Sequence, residues 1–297
     1  MGDTFKLSCE STVDMPYSYI SGRNIPVLFY TYQMDGVEHE DNMGRDPKEL
    51  KDFYQYIADG GLPTTSQINT FRYEEFFEGM LKEGKDILRI ALGSGMTPSV
   101  GNAKEAAEHL MEEYPDRKIL VVDSLCSSTG YGLLVDTAAD MRDQGVGMEE
   151  IYNWVMENRN KVHHQFFSTD LSVFRRSGRV SGPAATVGTV LGFCPLMHLD
   201  KTGSIIAYDR VRGKLKAIRK TADAVLEHIQ NGKEYAGKLF INHSNCPDLA
   251  EEMKQALIPY FGKLAEQAPI YEIGNIIAAH CGAGTVAVFF YGDERGA

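Results

Sequence analysis

Through the first half of the chain, apolar runs of strand length alternate with amphipathic stretches of helical length, which predicts a βαβα order and therefore a parallel sheet. The strands fall at Phe5 to Cys9, Val27 to Tyr32, Ile87 to Leu92 and Ile119 to Asp123, and the helices at Pro47 to Ala58, Tyr73 to Leu81, Asn102 to Glu113 and Gly130 to Gln144. The last two strands run into loops rich in Gly, Ser and Thr, Gly93 to Ser99 and Ser124 to Gly130. Open parallel sheets bind their ligands at such carboxyl ends. A helix over Glu149 to Asn158, with Trp154 as a packing residue, closes this half, and the texture changes near residue 160. Beyond it the pattern predicts a strand at His163 to Ser168, then a loop at Arg175 to Arg179 and a small-residue helix. Pro195 to Leu199 and Ile205 to Val211 follow as a hairpin turning at Lys201-Thr202-Gly203. Helices at Leu215 to Ile229 and Pro247 to Tyr260 and strands at Lys238 to His243, Ile270 to Ile273 and Thr285 to Tyr291 complete the chain. The expectation is an α/β fold in two domains: residues 1–160 layered α/β/α on a parallel sheet, residues 161–297 a mixed-sheet α/β domain.

A chain of 297 residues is long enough for two such domains, and 43% hydrophobic with 24% charged residues excludes disordered, collagenous and coiled-coil classes. No apolar run approaches the roughly 18–20 residues of a spanning helix. The N-terminus carries no basic region, long apolar region or small-residue cleavage site. A cytoplasmic location without a transmembrane segment is expected, leaving transient contact with a membrane surface open. With 30 Lys and Arg against 41 Asp and Glu, a net charge of -11 disfavours nucleic acid. Cys9, Cys126, Cys194, Cys246 and Cys281 are scattered without a C-x-x-C pair, so they read as reduced thiols.

Candidate chemistry is modest when each motif is taken alone. The Gly93 to Ser99 loop offers hydroxyls and amides at a helix start, suited either to an anion or to capping that helix. It lacks the lysine of a phosphate loop and the outer glycines of a nucleophile elbow. Pro63-Thr64-Thr65-Ser66-Gln67 offers three consecutive hydroxyls or, more simply, an N-cap around Ser66 to Thr70. His280 precedes the Gly282-Ala283-Gly284 turn and is either a donor to a carboxylate or a structural hydrogen-bonder. Its neighbour Cys281 is expected to point the other way on an extended chain, ruling out a Cys–His dyad. The same alternation separates His163 from His164, and with no carboxylate or Cys nearby in sequence no metal site is expected. Arg175, Arg176 and Arg179, with Arg210 and Arg212, form basic spots in an acidic chain. They suit either an acidic partner or salt bridges to Asp170 and Asp209.

Taken in order, these segments resemble the DegV family of bacterial fatty-acid-binding proteins, which includes the binding subunits of fatty acid kinase. Glu10-Ser11-Thr12-Val13-Asp14 is similar to the family's D-S-T-A-D, Thr65-Ser66-Gln67 to T-S-Q, and Leu92 to Thr97 to its S-S-x-x-S/T loop. Val122-Asp123-Ser124 resembles (V/I)-D-S, Phe174 to Ser181 resembles L-R-R-G-G-R-I-S, and Arg210-Val211-Arg212-Gly213 resembles K-V-R-G. Ile273-Gly274 through His280 to Gly284 is similar to I-G-x-x-x-x-x-H-x-G-P-G. Seven motifs in order across nearly the whole chain make the resemblance specific. The departures are Glu10 for Asp, Gly93 for the first serine of its pair, Ser177 for glycine and Ala283 for proline.

The resemblance implies a two-domain DegV-like (EDD) fold with a long-chain fatty acid in a tunnel between the domains. Its carboxylate is then held by the residues matching the motifs, Thr65, Ser94 and His280. Thr186 to Met197, Phe166, Phe167 and Ile276 to Ala279 are the candidate walls. No metal, cofactor or catalytic residue is implied. The resemblance further implies a carrier, not an enzyme, in phospholipid metabolism, which presents the carboxylate to a separate fatty acid kinase that forms the acyl phosphate, with the arginines as the candidate docking surface. The competing reading is an α/β enzyme acting on a small phosphorylated or carboxylated metabolite, with the Gly93 to Ser99 loop as anion site and His280 as acid/base.

Overall fold

The computed structural model describes residues 5–181 and 192–296. The first half runs β1 (Phe5–Glu10), α1 (Tyr17–Gly22), β2 (Val27–Leu28), β3 (Thr31–Met34), β4 (Val37–Glu40), α2 (Pro47–Ala58), β5 (Thr64–Ser66), α3 (Thr70–Lys82), β6 (Asp86–Ala91), α4 (Ser99–Glu113), β7 (Ile119–Asp123), α5 (Ser128–Asp143) and α6 (Met148–Asn158). Strands β2, β1, β6 and β7 form a parallel sheet in that order. Leu7, Ile87, Leu88 and Val122 are fully or nearly fully buried within it, the pattern of strands covered on both faces.

The run Val27 to Tyr32 is not one strand. Ser11 Oγ takes the Tyr30 amide and the Tyr30 carbonyl takes the Asp41 amide, so the chain leaves the parallel sheet after Leu28. It restarts as the centre of a small antiparallel sheet, β4-β3-β5. Thr65 therefore lies on a strand, paired with Tyr32, and the cap of α3 is Asn69, whose side chain accepts from the Arg72 amide.

The second half runs β8 (Val162–Ser168), α7 (Ser172–Ser177), β9 (Val180–Ser181), β10 (Phe193–Leu199), β11 (Ile205–Arg212), α8 (Lys214–His228), β12 (Phe240–His243), α9 (Pro247–Phe261), α10 (Lys263–Gln267), β13 (Ile270–Glu272), α11 (Asn275–Cys281) and β14 (Thr285–Tyr291). Its strands make one mixed sheet, β13-β12-β14-β8-β10-β11-β9. The expected hairpin is β10 with β11, antiparallel. The expected small-residue helix lies outside the described residues.

Helix α5 joins the halves. Nearly every residue from Ser128 to Asp136 is buried, as are Ala138, Ala139 and Arg142, because the helix packs on β1 and β6 on one side and on β8, β12 and β14 on the other. A helix buried on most of its faces is a central element of the core, here with Asp136 and Arg142 buried among its apolar residues. One apolar cluster accordingly runs from Leu7 and Val13 through Tyr131 and Leu134 to Phe166, Ile273 and Phe289.

Candidate functional site

His280 sits on α11, where the sequence reading placed it on extended chain. The start of that helix is fixed by residues of the first half. Tyr54 donates to the Ile273 carbonyl at 3.0 Å, Asp14 Oδ1 accepts the Gly274 amide at 2.9 Å, and Asn275 Nδ2 donates to Glu49 at 3.2 Å. Near its end, His280 Nε2 is 2.8 Å from Thr65 Oγ1 on β5. Two candidates 215 residues apart are thus in direct contact.

Burial, reinforced by the charge of Arg179, pushes His280 down to about 4, so its imidazole is neutral at pH 7. A neutral ring carries one N–H. With the proton on Nε2, the ring donates to Thr65 and the threonine hydroxyl keeps a proton to give. With it on Nδ1, Thr65 donates to Nε2 and Nδ1–H is left over. Nδ1 is buried with no hydrogen-bond partner among the described residues. Either tautomer leaves the pair one spare donor for an incoming acceptor.

The pair borders a cavity of about 290 Å³, whose walls include Tyr30, Thr97, Phe174, Ile276 and Ile277. That is at the lower end of small-molecule sites, about 300–1,000 Å³. A smaller space of about 60 Å³ adjoins it, sharing Phe174, Ile205, Ile277 and Cys281 and closed by Phe166, Leu199, Ile273, Ala287 and Phe289. Phe167 is not a wall: it alternates to the far face of β8 and packs in the second apolar cluster. Ala278, Ala279 and Gly192 to Met197 do not line either space, and residues 186–191 of the expected wall lie outside the described residues.

Ser94 is not brought to the pair. It is exposed, with its amide given to Asp123 Oδ1 at 3.0 Å, and the hydroxyl-bearing wall from this loop is Thr97. The Met96 amide folds back to the Gly93 carbonyl, which rotates Thr97 inward. Gly93 has its own reason: a Cβ there would lie 2.7 Å from the Cys126 amide nitrogen, so this loop packs backbone to backbone on its neighbour. An amide already bonded to a carboxylate suits an anion site poorly, which weighs against the metabolite-enzyme reading. Burial also pushes the Cys281 thiol up to about 12, and its Sγ contacts the Gly282 carbonyl, so no thiolate nucleophile stands beside His280.

Arg175, Arg176, Arg179, Arg210 and Arg212 are all exposed. Among the described residues none pairs with a carboxylate: Asp170 accepts from the Ser172 amide and hydroxyl, and Asp209 takes the Arg210 amide. Arg179 also lines the larger cavity, and Arg210 lies over the Phe193 ring at 5.8 Å. His163 and His164 do face opposite sides of β8, but the expectation of no carboxylate near them fails. Asp293 and His228 both reach His163.

A family model described as DegV, an uncharacterised protein family, matches residues 4–293. The chain belongs to the DegV family. A DegV domain-containing protein of Clostridium perfringens is 33% identical over 296 residues, covering 98% of both chains. A DegV family protein of Thermus thermophilus, whose structure is described by its fatty acid binding, superposes with a TM-score of 0.84 at 25% identity, covering 97% of this chain and 99% of that one. A DegV lipid-binding protein of Thermotoga maritima gives a TM-score of 0.84 at 24% identity over 98% and 99% of the two chains, which shows the shared fold. The α/β architecture is therefore that of DegV proteins from end to end.

Proposed function

We propose that this DegV family protein binds a long-chain fatty acid, with the carboxylate at Thr65 and His280 and the acyl chain in the apolar space behind them. The observation that carries the reading is the juxtaposition of a neutral imidazole–hydroxyl pair holding a spare donor with walls of Phe, Ile and Leu. A carboxylate drawn into such a place needs donors, since an unpaired buried charge is expelled or protonated. About 14 methylenes at roughly 0.8 kcal/mol each give on the order of 11 kcal/mol before ordering costs, enough for a tight, reversible complex. The Thermus relative supports the ligand class.

In this reading Thr97 supplies the hydroxyl assigned by motif to Ser94. The protein is a carrier that turns over nothing itself. The arginines, exposed and free of described carboxylate partners, form the surface on which a separate fatty acid kinase docks to phosphorylate the bound carboxylate for phospholipid metabolism. Native mass spectrometry of the purified protein tests the ligand class. A retained mass matching a long-chain fatty acid, exchangeable for added oleate, is the expected result. Protein that neither retains nor takes up fatty acid would overturn the reading.

A further inference from the structure

Past the end of β14, beyond Phe289, the last residue of that strand to line the lipid space, lies a second cluster. The strand spans seven residues, about 23 Å at strand rise. Just beyond it, Asp293 turns back over His163 of β8 and His228 at the end of α8. His163 Nε2 lies 2.9 Å from Asp293 Oδ1 and 3.0 Å from the Asp293 main-chain oxygen. His228 Nδ1 lies 3.2 Å from Asp293 Oδ1 and 3.4 Å from Oδ2. The three side-chain ligand atoms fall within 4.8 Å of one another. His163 is clamped between His228 and Phe290, with ring centroids at 4.9 and 5.3 Å, so one imidazole is fixed and the other lies against it.

Gly292 makes this approach possible. A Cβ there would stand 2.3 Å from the His228 carbonyl oxygen and 3.0 Å from His163 Nε2. Only a bare backbone lets the chain cross the two imidazoles and return Asp293 to them.

We propose that His163, His228 and Asp293 bind one zinc ion, with the Asp293 carbonyl or solvent as fourth ligand. Tetrahedral zinc with bonds of about 2.0–2.1 Å sets its ligand atoms about 3.3–3.4 Å apart. The two imidazole–Asp293 spacings, 2.9 and 3.2 Å, lie within a few tenths of an ångström of that, and the His228 ring, stacked on His163, has to turn so that its Nδ1 meets the same point as His163 Nε2. Two neutral imidazoles and a carboxylate are ordinary zinc donors. Each ring that turns an N–H toward Asp293 exchanges it for the metal by moving that proton to its other nitrogen, so ring charge is unchanged. The opposing charge is Arg295, two residues on, whose guanidinium is directed at the Leu125 carbonyl and Asn160 Oδ1. The ion ties the chain after β14 to β8 and α8, and through Arg295 to the first half. It is a structural clamp outside the proposed lipid space, whose wall reaches His164 and Phe289 on the same strands.

The test is titration of metal-stripped, tag-free full-length protein with zinc chloride, by calorimetry and by competition with a chromophoric chelator. One equivalent is expected to bind and to raise Tm. His228→Ala and Asp293→Ala, both on accessible side chains, are expected to weaken binding at least tenfold while far-UV circular dichroism and fatty-acid binding stay unchanged. Cobalt substitution is expected to give a tetrahedral spectrum without a thiolate charge-transfer band. Wild-type protein that takes up no stoichiometric zinc, variants that bind it as the wild type does, or a thiolate band would each overturn the proposal.

Discussion

Replacing Thr65 by Val isolates the contribution of one hydroxyl to fatty-acid binding. Valine keeps the branched Cβ that suits a strand, so the pairing of β5 with Tyr32 persists and the cavity keeps its shape. What disappears is the group 2.8 Å from His280 Nε2, and with it either the hydroxyl donor or the partner that fixes the imidazole. A hydrogen bond to a charged group contributes about 1.5–3 kcal/mol and a neutral one about 0.5–1.5. At about 1.4 kcal/mol per decade, Thr65→Val is expected to weaken fatty-acid binding roughly 10- to 150-fold. A fatty alcohol of equal length loses only the neutral share, about 2- to 13-fold. Displacement of a fluorescent fatty-acid probe from delipidated protein measures both ligands on both proteins. Equal factors for acid and alcohol would place the carboxylate elsewhere. An acid affinity within about twofold of wild type, with the fold intact, would refute the site.

Three further outcomes follow from the same geometry. Thr97→Val is expected to weaken fatty-acid binding by about tenfold, the cost of one charge-assisted hydrogen bond, whereas Ser94→Ala leaves it unchanged; the same displacement assay reads both, and the reverse order would return the head group to Ser94. His280 is held at about 4 in the fold, chiefly by burial, against about 6.5 unfolded. The unfolded chain therefore binds more protons, and this contribution to stability is lost as pH falls from about 6.5 to about 4, at most about 2 kcal/mol by pH 5. Urea unfolding at pH 7 and 5 is expected to show a smaller loss for His280→Gln than for wild type. Asp41, raised to about 6 by burial, works in the opposite sense and is common to both proteins. Arg176→Ala and Arg212→Ala are expected to leave lipid binding intact but to slow phosphoryl transfer by the partner kinase, more at low salt than at high; wild-type rates at every salt concentration in a reconstituted assay would remove these arginines from the docking surface.

What was legible in the sequence follows from how local its cause is. Helix Pro47–Ala58 announces itself because Asp46 caps it and Pro47 opens it, and strand Thr285–Tyr291 because its apolar run is bounded by a glycine turn. The small antiparallel sheet was illegible for the opposite reason. Val37–Glu40 is exposed except for half-buried His39, so it has no buried apolar face to impose alternation, and the break at Tyr30 depends on Ser11, 19 residues away. The motifs point to the Gly93 to Thr97 loop but not to which of its hydroxyls turns inward, since that depends on the Met96 and Thr97 amides folding back on the Gly93 carbonyl. Asp293 was invisible as a neighbour of His163 because 130 residues separate them and only the pairing of β14 with β8 brings them together, while His228 arrives by the packing of α8 on β8.

The placement of His280 also says how ligand and fold are linked. Helix α11 lies between β13 and β14 of the second half in sequence, yet Asp14, Glu49 and Tyr54 hold its start and Thr65 meets its end. The head-group site therefore exists only while the two halves are docked, with α5 packed between their sheets. A ligand that binds the docked arrangement alone must stabilise it by mass action. By the same linkage, anything that loosens the docking lowers affinity without touching the ligand. Under the proposed function, the buried contacts of Asp14 with Ser128 and Gly274 serve fatty-acid binding as much as folding, which gives a physical reason for the Ser-Thr-x-Asp element to accompany the His280 motif in one chain.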